Sequence, residues 1–254
     1  MNTWAKCYFF LKLMASLLWS LLPGAHALAA EPLPPLARFS AAADSQVPAP
    51  WRVVGLPKGK APLAQIDIAN VDGERVLRLA TDKSYGTLTH VLPDLALPPQ
   101  VTLHWKWRLD QALSRADLRR KDGDDVALKV CAMFDLPLEK LGWVERSLLA
   151  LARTVSGEQL PAATLCYVWD QNLPPGTGLP NAYTRRVRFV VLNSGDAPLR
   201  QWVTHERKLS ADFLKAFGSD TDTVPPLVAI VVGADSDNTG GASLGYVGDI
   251  TMKQ

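Results

Sequence analysis

Three aspartates and an asparagine fall within fifteen residues near the C-terminal end of the chain: Asp235, Asp237, Asn238 and Asp249. In Asp235-Ser236-Asp237-Asn238-Thr239-Gly240, oxygen-bearing side chains alternate and a glycine follows, as in calcium loops. The acidic residue that closes an EF-hand twelve positions along is missing, because Tyr246 stands there. Three readings stay open. The loop can bond its own backbone through Asx turns, hold a cation such as calcium on Asp235 and Asp237, or touch a ligand directly. A second acidic pair, Asp124-Asp125, lies where the chain enters an apolar stretch. Paired carboxylates cleave glycosidic bonds when one keeps its proton and the other is ionised. Asp124, Asp125, Glu206, Asp235, Asp237 and Asp249 are the candidates, and sequence spacing assigns neither acid nor base among them.

Other chemistries lack their residues. There is no Gly-x-Ser-x-Gly elbow, phosphate-binding loop, dinucleotide fingerprint or His-Glu-x-x-His. His90, His104 and His205 are far apart, each in or beside a strand, and do not form a triad or a metal centre. Cys131 and Cys166 both fall in predicted strands. They form either a cross-strand disulfide or two buried thiols, and neither has metal-ligand spacing around it.

The elements that must position these residues are mostly strands. Val101, Leu103, Trp105, Trp107 and Leu109 alternate with Thr102, His104, Lys106 and Arg108, which buries one face of an antiparallel strand. Trp105 and Trp107 are read as core, with a sugar-stacking platform as the alternative. Asn70-Val71-Asp72-Gly73 is hairpin-turn chemistry. Ordered structure is expected to start at Trp51–Val54, with further strands at Ala64–Ile68, Arg75–Thr81, Val126–Asp135, Ala163–Asp170, Arg186–Leu192 and Gly245–Ile250. Gln201–Leu209 is expected as the antiparallel partner of Arg186–Leu192. Six apolar residues in a row, Leu227–Val232, predict a central strand buried on both faces. Leu141, Val144, Leu148, Leu151 and Val155 recur at three- and four-residue steps. They predict an amphipathic helical insert near 138–158 that packs on the sheet or covers one end of it. A short helix is expected near 210–217, with Ser210 as N-cap and Gly218 past its end. With about ten strands and no βαβ rhythm, the expected class is all-β, a two-sheet antiparallel jelly-roll-like sandwich.

Residues 1–29 read as a Sec-type signal peptide: Lys6 and Lys12, a short apolar run to Leu22, and an Ala-x-Ala exit with cleavage after Ala27 or Ala29. The implied location is the periplasm or outside the cell, with no stable membrane span after cleavage. Residues 30–50 form a Pro/Ala-rich leader that docks or stays mobile, and residues 51–254 form one domain. Without Lys6 and Lys12, the 27 basic side chains fall to 25 and match the 25 acidic ones, so composition points to no nucleic-acid partner.

Several stretches resemble the bacterial domain-of-unknown-function 3047 family. They are Leu56–Lys60, Trp105–Arg108, Asp117–Lys121 with Gly123–Asp125, Cys166–Trp169, Asn181–Thr184, Asp235–Gly240 and Gly248–Ile250. The resemblance implies an exported β-domain whose recurring polar motifs cluster at strand ends, and it brings no activity or catalytic residues. The expected function is binding of a carbohydrate or other polar envelope ligand by Lys121, Asp124, Asp125, Trp169, Asn181, Tyr183, Asp235, Asp237, Asn238 and Asp249. Two alternatives remain: a glycan-acting hydrolase or lyase, and a structural envelope protein.

Overall fold

The computed structural model describes residues 32–156, 160–195 and 198–254, so the expected signal peptide lies outside the described residues. Among the described residues, thirteen strands form two sheets, numbered here in chain order. The seven-stranded sheet runs β1 (Arg52–Val54), β4 (Tyr85–Leu95), β11 (Leu227–Asp235), β6 (Leu128–Phe134), β7 (Ala163–Asp170), β9 (Val187–Ser194), β8 (Gly178–Pro180). The six-stranded sheet runs β10 (Val203–Lys208), β5 (Thr102–Gln111), β12 (Ala242–Val247), β3 (Glu74–Asp82), β2 (Gln65–Val71), with β13 (Thr251–Lys253) beside β5. The result is the expected all-β sandwich.

Side-chain alternation sets what each strand gives to the core between the sheets. In β5 the alternating residues Leu103, Trp105, Trp107 and Leu109 are all buried. Trp105 meets Tyr167 at 5.3 Å between ring centroids, and Trp107 meets Trp169 at 6.1 Å. The two β5 tryptophans are therefore core and no stacking platform. Trp169 is core as well, 2% exposed, with its indole N–H donating to the Gly195 carbonyl at 3.0 Å. It shares the inward parity of Leu165 and Tyr167 in β7, so it has no surface to offer a ligand. Strand β11 is central, between β4 and β6, and buried on both faces as its composition predicts.

Three expectations need correction. Strands β9 and β10 do not pair: β9 runs parallel to β7, while β10 crosses to the other sheet and pairs with β5. The reason is edge occupancy, since β9 is already hydrogen-bonded on both edges, to β7 and to β8, and the free edge of β5 takes β10 instead. Helix α2 (Leu209–Phe217) follows β10 without a break, so Lys208 takes the N-cap position with no side-chain cap and Ser210 is buried in the first turn. The third concerns the insert, which forms a single 3-10 turn at Leu138–Lys140 and then helix α1 (Trp143–Ser156). Of its expected apolar face only Leu141 is buried, whereas Val144, Leu148, Leu151 and Val155 are 49%, 61%, 59% and 43% exposed. The helix docks through its other side. Leu149 is buried, Glu145 pairs with Arg186 at 3.3 Å, and Arg153 donates to the Leu160 carbonyl at 2.9 Å.

The leader, described from residue 32, is docked. Phe39 is buried, Arg75 donates to the Ala42 and Asp44 carbonyls, and Ser40 bonds Asp249 through both its amide and its hydroxyl. Cys131 and Cys166 are direct cross-strand partners in β6 and β7 and form a disulfide, with Cα atoms 4.0 Å apart and a sequence separation of 35. Closing a loop of that size removes chain entropy from the unfolded state. Replacing both cysteines by alanine should therefore lower the unfolding free energy by about 2–4 kcal/mol. Urea titrations of the oxidised and double-alanine proteins check this, and coincident midpoints would show that the bridge adds nothing.

Candidate functional site

Residues of opposite parity to the core line the outer face of the seven-stranded sheet. Across it, Thr89, Val231, Cys131, Cys166 and Phe189 stand in one row, and Thr87, Gly233 and Lys129 in the next. Helix α1 and Leu160 stand over this floor, as do segments 121–126 and 181–186, and Arg186 of the latter pairs with Glu145 of α1 at 3.3 Å. Between them lies a cleft of about 700 Å³.

A buried ion pair anchors the polar part of the cleft. Lys129 reaches Asp235 at 2.5 Å, and the second Asp235 oxygen accepts the Val126 amide. Burial opposes charge on Lys129, but Asp235 more than offsets it and holds the ammonium above its ordinary range. Gly233 leaves room for the lysine stem: a Cβ there would stand 2.8 Å from Thr87 Cγ2, 3.0 Å from the Gly86 carbonyl and 3.1 Å from Lys129 Cε.

Next to this pair, Asp125 is buried and saturated. It accepts the Asn238 amide at 3.1 Å, the Thr239 amide at 2.7 Å and the Thr239 hydroxyl at 2.5 Å. The Lys121 carbonyl accepts both the Tyr183 hydroxyl at 2.8 Å and the Asn238 side-chain amide at 3.1 Å, and the Lys121 ammonium lies 5.4 Å from the Tyr183 ring centroid. Asn181 accepts the Tyr183 and Thr184 amides through its carbonyl oxygen and donates to Asp124 at 2.6 Å. The three motifs that sequence grouped together therefore do converge, joined largely by bonds among themselves.

Asp124 is the exception. One carboxylate oxygen is held by Asn181, while Oδ1 is buried without a protein partner. Burial, with the neighbouring Asp235 charge adding to it, pushes its carboxyl up to about 6. Arg186, also in the cleft wall, spends one nitrogen on Asp220 at 2.8 Å and Glu145 at 3.3 Å, while Nε and Nη1 are buried and unpartnered. Buried polar atoms left in this state cost stability, which is why they are few in native structures.

The remaining candidates lie apart or are occupied. Asp249 binds Ser40, and Glu206 is exposed on β10 beside His104 at 3.8 Å. Of the six acid–base candidates, Asp124 and Asp235 alone line the cleft, and Asp235 is held in its ion pair. Asp237 is half-buried, and burial together with the Asp125 charge raises its carboxyl above the ordinary range. For calcium, Asp235 is the wrong ligand, because both its oxygens already accept from an ammonium and an amide. Among the described residues, no group of three or more His, Cys, Asp or Glu side chains could hold a metal. Sequence reading missed Lys129, Arg186 and the α1 wall. A lone lysine in the apolar run Val126–Phe134 was the available signal for the first.

With this geometry in place, comparison with known proteins gives the family. A profile described as a protein of unknown function, DUF3047, matches residues 49–251. The chain belongs to the DUF3047 family. No curated protein matches it. Among solved structures, it is similar to a family 11 carbohydrate-binding module of a Clostridium thermocellum cellulosomal cellulase, at 8% identity, TM-score 0.40, 86% of this chain and 94% of that one. It is also similar to the family GH12 endoglucanase 3 of Trichoderma harzianum, at 8% identity, TM-score 0.42, 82% and 99% coverage. At these scores the DUF3047 cleft has to be read from its own residues.

Two outcomes separate the saturated carboxylate from the open one. Asp125→Ala removes three bonds that tie segment 121–125 to the 238–239 loop, and should cost about 2–4 kcal/mol of stability. Asp124→Asn should do the opposite. Its folded value lies above the ordinary 3.8, so the folded protein holds the proton more tightly. That contribution is present below about pH 4 and is lost as pH rises through about 6. Discounted for its partial exposure, it amounts to about 1–2 kcal/mol. At pH 7 Asp124→Asn should therefore be more stable than wild type by that amount, with a flatter profile between pH 4 and 6. Denaturant titrations across that range decide it, and parallel profiles would refute the assignment.

Proposed function

We propose that this DUF3047 protein is an exported binding protein that holds a carbohydrate-type ligand in the cleft of its seven-stranded sheet. One observation carries the reading. Asp124 and Arg186 line the same cleft, and between them an acceptor, Asp124 Oδ1, and two donors, Arg186 Nε and Nη1, are buried without protein partners. Sugar hydroxyls donate and accept at once, so one ring can satisfy both kinds of group. The charges in the cleft also balance, Lys129, Arg185 and Arg186 against Asp124, Asp235 and Glu145, which suits an uncharged ligand. Tyr183, 59% exposed at the rim with its hydroxyl tethered, offers a ring face for stacking. Export is supported by the basic and apolar N-terminal residues and by the Cys131–Cys166 disulfide, which persists in an oxidising compartment such as the periplasm.

The raised Asp124 carboxyl favours a second reading, a hydrolase or lyase in which Asp124 is the general acid. Against it, the other carboxylates lining the cleft are both ion-paired, Asp235 to Lys129 and Glu145 to Arg186.

The test is a glycan array followed by calorimetry on the purified protein. A glycan should be retained intact, and Asp124→Asn or Tyr183→Ala should weaken it at least about tenfold. Retention unchanged by both substitutions would move the site elsewhere. New reducing ends, abolished in Asp124→Asn, would establish the hydrolase instead.

A further inference from the structure

We infer that the ligand of this cleft is an amphiphile: an uncharged, hydroxylated head joined to a single apolar chain. The inference rests on the binding reading above and narrows its ligand class.

The lining is divided by element. The polar groups come from segments 121–126 and 181–186 and from the Lys129–Asp235 pair. Most of the remainder is apolar, with Glu145, Thr87, Thr164 and Tyr85 as the exceptions. Helix α1 contributes Leu148, Leu149 and Ala152, the segment after it Leu160, and the sheet floor Met133 and Val231. A sugar alone would satisfy Asp124 and Arg186 and leave this apolar wall facing water. A chain lying between α1 and the sheet would cover it.

The wall also continues out of the cleft. Leu148 lines the cleft and is 61% exposed, and it belongs to the same helical stripe as Val144, Leu151 and Val155. Trp143, at the start of that helix, is 79% exposed. Stripes of this kind on water-soluble domains are normally buried, because the solvent-facing side of a helix is polar. Here the polar side chains Glu145 and Arg153 hold the helix to the domain and the apolar side faces outward. A chain longer than the cleft therefore meets a continuous apolar track rather than water. The charge balance sets the head apart from that of a fatty acid or an anionic phospholipid, since a carboxylate or phosphate would add an unpaired charge to a neutral site.

The experiment is calorimetry of the purified protein with glucose, hexyl and octyl β-glucosides, the matching β-maltosides, and octanoate, each below its aggregation concentration. Affinity should rise about tenfold from hexyl to octyl, given roughly fourfold for each methylene fully buried. Octanoate should bind more weakly than the octyl glycosides. Leu148→Asn, at an exposed position, should flatten the dependence on chain length, whereas Asp124→Asn should weaken every glycoside by the same factor. Free sugars or array glycans binding as tightly as their octyl glycosides would overturn the amphiphile while leaving the cleft as a sugar site. Binding by neither kind of probe would overturn both readings. A dimer that Leu148→Asn dissociates without altering octyl-glycoside binding would make the stripe an interface between copies and overturn the inference too.

Discussion

Much of the outer face is arranged around one buried ammonium–carboxylate contact, Lys129 to Asp235. Two opposite charges inside a sheet are tolerable only when they meet each other and their remaining valences are filled. Meeting that demand places several other residues. Gly233 must lack a side chain so that the lysine stem can cross β11. The Val126 amide must turn toward Asp235, which brings segment 121–126 onto the sheet. Asp125 then falls under the 238–239 amides and fastens that loop. Asp124 is left pointing where neighbouring bonds satisfy only half of its carboxylate. The open groups of the cleft are thus a product of how tightly the adjacent ones are closed.

The parts of this arrangement that were legible in sequence are those governed by period. Alternation in Val101–Leu109 correctly assigned the β5 core, and the unbroken apolar run Leu227–Val232 correctly marked a central strand. The same parity rule, carried through β7, would have put Trp169 inside with Tyr167 and spared it a place among ligand residues. Pairing across the sandwich was not legible. Strands β9 and β10 are adjacent in sequence, yet both edges of β9 are taken by β7 and β8, pairings that local spacing does not reveal, and β10 joins the other sheet.

The candidate site was legible as a set of motifs but not as a division of labour. Asp124 and Asp125 are neighbours of the same type, yet one is saturated by three donors and the other holds an empty oxygen. That difference comes from residues more than fifty positions away, beyond the reach of local spacing. The α1 periodicity was read correctly and its orientation was not. An amphipathic pattern tells which residues share a face, and it says nothing about which face the rest of the molecule takes.

The disulfide has a consequence for the insert. Strands β6 and β7 are hydrogen-bonded along their length and joined by Cys131–Cys166, so the excursion that carries α1 begins and ends at fixed, adjacent points. Register on either side is held by the sheet and the bridge, independently of what lies between. The segment from Asp135 to Ala162 is in effect a cassette. Leu136, Leu141, Leu149 and Ala162 tie it into the core and have to be kept, whereas its exposed positions can vary and rebuild one wall of the cleft while the Lys129–Asp235 floor stays in place. The fold thereby separates what must be constant for folding from what can vary to suit a different occupant.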